Sequence, residues 1–246
     1  MAPTIHLVRH AQGVHNLSVA NESIHDPDVT RLGQEQCAAL RAAFPYHALV
    51  KHLVASPLRR TMTTCIAAFG SGSLGPVAAL DVLQEVSAAP CDVGSAREAL
   101  RREFGSEVDL AGVREGWTDK GPGSVFEPTV DKLTARAREA RRALRDLVQG
   151  EEHLVAVTHG GFLHFLTDDW QGIPEGRATG WDNCECRSYH LADPTGKDDD
   201  AALIETDQSR ARRNFSAKPL SLQEKRELRA AVQHRLLPYL KINQSA

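Results

Sequence analysis

Thr4-Ile5-His6-Leu7-Val8-Arg9-His10-Ala11-Gln12-Gly13-Val14-His15-Asn16 begins as an apolar run and turns, within two residues, into reactive and hydrogen-bonding types. Residues 4–8 read as a short buried strand. The same grammar returns later, where Leu154-Val155-Ala156-Val157-Thr158 runs into His159-Gly160-Gly161 and a helical apolar stretch. Between the two, strand patterns at 49–55 and 76–80 alternate with helix patterns at 30–43 and 61–69, the second opened by Pro57 and the first weakened in its first turn by Gly33. Strands alternating with helices predict an α/β fold: a three-layer sandwich whose open, mostly parallel sheet carries helices on both faces.

Val130, Leu133, Ala137, Ala140, Leu144 and Leu147 recur at three- and four-residue steps and predict a long helix with Thr129 as N-cap and Gly150 as its stop. Arginines 136, 138, 141, 142 and 145 lie mostly off that stripe and read as a solvated face. From 86 to 128 the pattern breaks into glycine, proline and charge around one short helix at 97–104, an insertion rather than a second domain. Ser221 and Glu224 stand in capping-box spacing before a C-terminal helix near 221–237 that Pro238 should end. Residues 198–200 read as a solvated acidic turn. The 246 residues thus form one domain, 1–246.

The composition is 41% hydrophobic and 25% charged, with a formal net charge of -3. That balance lacks the basic excess of a nucleic-acid binder, so none is predicted as a partner. No window nears the ~18 consecutive apolar residues of a membrane span, so no membrane partner is predicted either. The first ten residues show no leader pattern, and five cysteines without a CxxC pair argue against a disulfide framework. A cytoplasmic setting fits best; the oligomeric state is left open.

Reactive residue types fall at strand ends. Arg9 and His10 follow the first strand, Ser56 and Arg60 the second, Glu85 the third, and His159 the strand before the paired glycines. In open α/β sheets the ligand crevice lies outside the carboxyl ends of the strands, so these residues can converge. Their chemistry is coherent. Two arginines can clamp phosphate oxygens by charge-assisted bonds, a neutral imidazole in line with phosphorus can act as nucleophile, and a second, protonated histidine can stabilise the equatorial oxygens. A carboxylic acid at Glu85 can protonate the leaving oxygen and then take a proton from water.

At these residues the chain resembles the histidine phosphatase superfamily, the phosphoglycerate-mutase-like fold group. The run from Leu7 to Asn16 looks like its nucleophile motif, with an asparagine seven residues after the arginine, and Thr30, Gly33 and Gln36 resemble its Thr-x-x-Gly-x-x-Gln segment. Ser56-Pro57-Leu58-Arg59-Arg60-Thr61 is similar to Ser-x-Leu-x-Arg-Ala/Thr, with Arg60 as the phosphate ligand and Arg59 directed elsewhere. Leu83-Gln84-Glu85 resembles the acid motif, Val157-Thr158-His159-Gly160-Gly161 the final histidine motif, and Asn183-Cys184-Glu185 a later familiar stretch. The motifs keep the family's order. Ala11 stands where glycine is commonest, a change of one methyl group.

The resemblance implies a metal-independent phosphatase that hydrolyses a phosphorylated small molecule through phosphohistidine on His10. Arg9, Arg60, His159 and Glu85 complete the catalytic set, and Asn16 and Gly160 contact phosphate. By analogy with the family's substrate loops, Asp92, Arg97, Arg101, Arg102 and Trp117 are candidates for contact with the rest of the substrate; a surface helix explains the arginines equally well. No cofactor is implied. His6, His15, His25 and His164 lack partners at ligand spacing, so no metal site is predicted. Cys184 and Cys186 would share one strand face as small buried hydrophobes, with Asn183, Glu185 and Arg187 supporting the pocket from behind.

Two other functions compete. A phosphoglycerate mutase-type phosphotransferase would need a basic, aromatic stretch after the acid motif, but Val-Ser-Ala-Ala-Pro-Cys follows Glu85. A catalytically silent binding module would have lost the nucleophile or an arginine, and none is lost.

Overall fold

The apolar run at 4–8 is a central strand because both of its faces are covered. β1 (Thr4–Arg9) buries Ile5 and Leu7 in one core and Val8 in another, as the two-residue alternation of a strand requires. The computed structural model describes residues 2–70, 74–213 and 220–242. Among them β1, β2 (Val50–Ala55), β3 (Val77–Ala79), β4 (Val108–Asp109), β5 (His153–Thr158), β6 (Cys186–Leu191) and β7 (Leu203–Glu205) form one sheet in the order β4-β3-β2-β5-β1-β6-β7. The first five in that order are parallel; β6 and β7 extend the edge antiparallel.

Helices cover both faces. α1 (Arg31–Ala43), α2 (Arg59–Phe69) and α3 (Arg97–Phe104) contribute to one core with Val155 and Val157 of β5; α4 (Val130–Leu147), α5 (Gly160–Thr167) and α7 (Leu222–Leu240) contribute to the other with Leu154 and Ala156. The short α6 (Asp207–Arg212) follows β7. α/β class, parallel majority and helices on both faces are as the sequence predicts.

The departures have local causes. α4 begins at the predicted cap, where the Thr129 hydroxyl accepts from Lys132 N, but ends three residues before Gly150, at Leu147. Arg136 is not solvated: it is buried, with its guanidinium 4.5 Å from the Phe162 ring centre. α7 begins with the predicted Ser221–Glu224 capping box yet continues through Pro238 to Leu240. Proline removes one hydrogen bond there, and burial of Leu237, Leu240 and Ile242 offsets the loss. Cys184 lies outside the strand that Cys186 begins, in left-handed conformation. The insertion is tied to the fold, since its β4 pairs with β3 as an edge strand. Gly33 matters for proximity rather than for helix propensity: a Cβ there would sit 2.3 Å from the Gln12 carbonyl oxygen, so only glycine lets α1 pack on the loop after β1.

Candidate active site

Four adjacent parallel strands, β3-β2-β5-β1, end on the same side of the sheet, and the loops that leave them carry the predicted residues. The loops are fixed to one another by backbone bonds from His10 N to Thr158 O (2.9 Å) and from Ser56 N to Val157 O (3.0 Å). Arg9, His10, Asn16, Glu85, Asp92 and Gly160 share the wall of one cavity of about 150 Å³.

The hydrogen bonds fix the state of both histidines. His10 Nδ1 lies 2.7 Å from the Ala11 carbonyl oxygen, so Nδ1 carries the proton and donates. Its Nε2 keeps the lone pair and accepts a long 3.3 Å bond from Arg60 Nε. His159 is the mirror case: Nδ1 accepts from Arg60 Nη2 at 3.1 Å and Nε2 donates to Ser56 Oγ at 2.8 Å. Both rings are neutral, and the electrostatics agree. Burial first, then the Arg60 charge, hold both well below the ordinary histidine range. The predicted protonated His159 concerns a ring beside a phosphoryl group; burial and the Arg60 charge by themselves favour the neutral form.

Arg60 is buried and sits behind the two rings rather than in the cavity wall. Besides the imidazoles it donates to the Cys91 carbonyl and to Asp92 Oδ1 (2.9 Å), whose other oxygen accepts a 2.5 Å bond from the Ser87 hydroxyl. Arg9 is the arginine in the wall. It donates to the Trp181 carbonyl, while its buried Nε has no partner. A Cβ at Gly160 would approach that Nε to 3.1 Å. An orphaned buried N–H is costly, and an anion oxygen would satisfy it. Behind Arg9, the Arg187 guanidinium stacks 3.7 Å from the Trp181 ring and donates to Glu185, while Asn183 Nδ2 donates to the His10 carbonyl. The 183–187 segment thus supports the site as predicted. Asn16 Oδ1 accepts from Gly13 N, which leaves its amide NH₂ as the donating end.

Glu85 sits across the amino end of α5. Oε1 accepts from Val86 N (2.9 Å) and Phe162 N (2.8 Å), and Oε2 from Gly161 N (3.1 Å). These donors favour the carboxylate, but burial and then the Asp92 charge outweigh them and push the Glu85 carboxyl up. Two buried cations hold its backbone. Lys120, from the insertion, donates to the carbonyls of Glu85 (2.9 Å) and Ser87 (2.8 Å), and Arg136 donates to those of Gln84 and Glu85. Burial first brings Lys120 down to about 7.

The structure does not bring the insertion's other candidates to the cavity. Arg97 and Arg101 lie on α3, where Arg101 pairs with Glu98; Arg102 is exposed, and Trp117 is buried against Gly94. Asp92 lines the cavity, but both its oxygens are bonded within the protein. The sequence reading missed His15, whose ring centre is 5.4 Å from that of His10, and missed Lys120 and Arg136. It also missed the far wall, made by Glu22 and by Tyr239, Leu240 and Lys241 at the end of α7. Adjacency to Asn16 was the one signal available for His15. Among the described residues, no group of three His, Cys, Asp or Glu side chains is placed to hold a metal ion, and no helix is long and apolar enough to cross a membrane.

Residues 5–197 match the family model described as the histidine phosphatase superfamily (branch 1). Phosphoglycerate mutase-like protein 1 of Arabidopsis thaliana is 25% identical, over 82% of this chain and 86% of that protein. Among solved structures, YhfR of Bacillus stearothermophilus superposes with a TM-score of 0.54 at 17% identity, covering 83% of this chain and 96% of that one. The ecdysone phosphate phosphatase of Bombix mori, solved with tungstate, gives 0.52 at 15% identity over 78% and 93%. These structural likenesses concern the fold.

Proposed function

The chain belongs to the histidine phosphatase superfamily, and from that premise we propose that it is a metal-independent phosphatase hydrolysing a phosphate monoester of a small molecule through a phosphohistidine on His10. The observation that carries this reading is the tautomer of His10. With its Nδ1 proton held on the Ala11 carbonyl, Nε2 is the nucleophilic nitrogen, on a cavity wall where Arg9 presents an unpaired donor.

In the first step Nε2 exchanges its long contact with Arg60 Nε for phosphorus, attacking in line and forming the N–P bond as the ester P–O bond breaks. Glu85, its carboxyl raised by burial, gives its proton to the leaving alkoxide oxygen. Negative charge on the equatorial oxygens meets Arg9, the Asn16 amide and His159. A phosphate dianion reverses the charge balance around His159 and favours its second proton. In the second step Glu85, now a carboxylate, takes a proton from water as that water attacks phosphorus. The N–P bond breaks, inorganic phosphate leaves, and the Nδ1 proton stays in place throughout.

A phosphate-release screen over chemically diverse monoesters, run with and without EDTA, tests this reading. Turnover that survives chelation and is inhibited competitively by vanadate is the expected result, since five-coordinate vanadate resembles the in-line transition state. Activity lost to EDTA and restored by magnesium or zinc would overturn the metal-free mechanism.

A further inference from the structure

The wall opposite Arg9 is built by parts of the chain far apart in sequence. Lys241, at the carboxyl end of α7, forms an ion pair with Glu22 of the 3₁₀ turn Val19–Ser23. The pair is partly open to solvent, with Lys241 49% and Glu22 32% exposed. It belongs to the cavity, because both residues line it beside Tyr239 and Leu240. α7 is seated next to the catalytic acid: a Cβ at Gly161 would meet Glu85 Oε1 at 2.8 Å and Leu240 Cδ2 at 3.0 Å. The residue after Leu240 therefore flanks the place where a leaving group must be protonated.

The charges of this wall divide into two sets. Arg9 and the histidines face the phosphoryl group, and Asp92 is held by Arg60 and Ser87. Lys241 is the cation that remains among the lining residues. Its partner is weakly held, because exposed ion pairs contribute little and exchange partners readily. Lys241 sits at φ 51 and ψ 43, the left-handed conformation that commonly closes a helix, with its N–H turned back to the Leu237 and Pro238 carbonyls, so the ending of α7 places this side chain at the cavity.

We infer that Lys241 is a specificity-determining residue, binding an anionic group carried by the alcohol part of the substrate, while Glu22 is the internal competitor that such a group displaces. The inference rests on the phosphatase reading of the same cavity. It assigns the substrate class as monoesters with a second anionic group a few bonds from the phosphate. It also makes the two members of the ion pair act in opposite directions. Removing Lys241 removes the ligand's partner; removing the Glu22 charge removes the ligand's rival.

The test compares 3-phosphooxypropionate with its primary amide, which differ in charge at the far end and little in shape. Lys241→Ala should lower kcat/KM for the carboxylate ester roughly ten- to hundredfold, the size of a lost charged hydrogen bond, and for the amide ester far less. Glu22→Gln should raise kcat/KM for the carboxylate ester. If the pair merely fastened α7 to the 3₁₀ turn, both variants would lower both substrates together, and that result would overturn the inference. Titration calorimetry of both esters with His10→Ala protein, alone and combined with Lys241→Ala, reads the subsite without turnover. Preferential binding of the carboxylate ester that vanishes with Lys241 supports the subsite even if the wild type proves inactive. Equal binding of the two esters, whatever the wild type does with an aryl phosphate, defeats the subsite and leaves the phosphatase reading to stand or fall on its own assay.

Discussion

Histidines stand at both ends of β1 and β5, and the two ends have opposite chemistry. At the amino end His6 Nε2 lies 2.9 Å from His153 Nδ1, its other nitrogen bonds Ser188 Oγ at 2.9 Å, and its ring stacks on Tyr46 and meets Phe44 edge-on. At the carboxyl end the ring centres of His10 and His159 are 5.2 Å apart, but Arg60 stands between their lone pairs and Arg9, Glu85 and Asp92 complete the surroundings. Burial keeps the histidines neutral at both ends. What differs is the company. Rings against rings make a core; rings whose lone pairs are directed by a guanidinium, beside a carboxylic acid, have the groups that the proposed reaction needs. The amino-end cluster should therefore govern stability and the carboxyl-end cluster turnover.

The largest expected effect is His10→Ala, which should lower kcat by on the order of 10⁴-fold or more, as loss of a nucleophile does, without lowering the thermal midpoint comparably. Circular dichroism melts run beside the kinetics separate the two. An inactive variant that has also unfolded would erase the contrast between the ends.

Glu85→Gln follows, with a loss of about 10²–10⁴-fold on alkyl monoesters. Aryl phosphates, whose leaving anions need the proton less, should be spared much of that at the first step, and phosphoenzyme should accumulate because water lacks its base. The pH profile carries the same signature. Wild-type turnover of alkyl esters should fall as pH rises through the pKa of Glu85, which burial and Asp92 place above its ordinary 4.5. Equal losses on alkyl and aryl substrates would reduce Glu85 to a structural carboxylate.

Lys120→Met should act more weakly and through Glu85. It strips the donor from two carbonyls of the acid loop and should destabilise the fold by about 1–3 kcal/mol. Alkyl esters should lose roughly tenfold in kcat, aryl esters less, with KM little changed. Lys120→Arg should recover part of both. A variant that slows both ester classes equally would show that the insertion supports the fold rather than the acid.

His6→Phe should do least to catalysis and should alter the acid limb of stability. The folded pKa of His6 is depressed to about 3 from an ordinary 6.5, first by burial. The unfolded chain therefore binds the proton more readily across that interval, and the contribution of His6, whole above 6.5, is lost as pH falls toward 3. Melting midpoints of the variant should decline less steeply over that window, with kcat at neutral pH within about twofold of wild type. A matching loss of activity would join the two ends that the structure separates.

These contrasts also show what the chain discloses before it folds. Arg9, His10, Ser56, Arg60, Glu85 and His159 were legible because each follows a strand, and strand ends converge in a parallel sheet. Asn183 and Arg187 were legible as support on other grounds, the resemblance of the stretch that leads into β6 and lies partly within it. The far wall was not, since nothing near Glu22 signals Lys241, more than two hundred residues away. Lys120 and Arg136 were hidden because long cations default to solvent, and only the packed acid loop supplies the carbonyls that draw them in. The arginines of α3 misled in the opposite sense. Arg101 is merely the exposed partner of Glu98 on its own helix.

The central claim is a covalent phosphoryl group on Nε2 of His10. Rapid quench of the wild type with a phosphorus-labelled aryl phosphate, under alkaline conditions that preserve phosphohistidine, followed by peptide mapping, tests it most directly. The predicted result is a burst of label on the peptide containing His10, larger in Glu85→Gln and absent in His10→Ala. Steady turnover with no trapped label in either wild type or Glu85→Gln, or label on another residue, would contradict it.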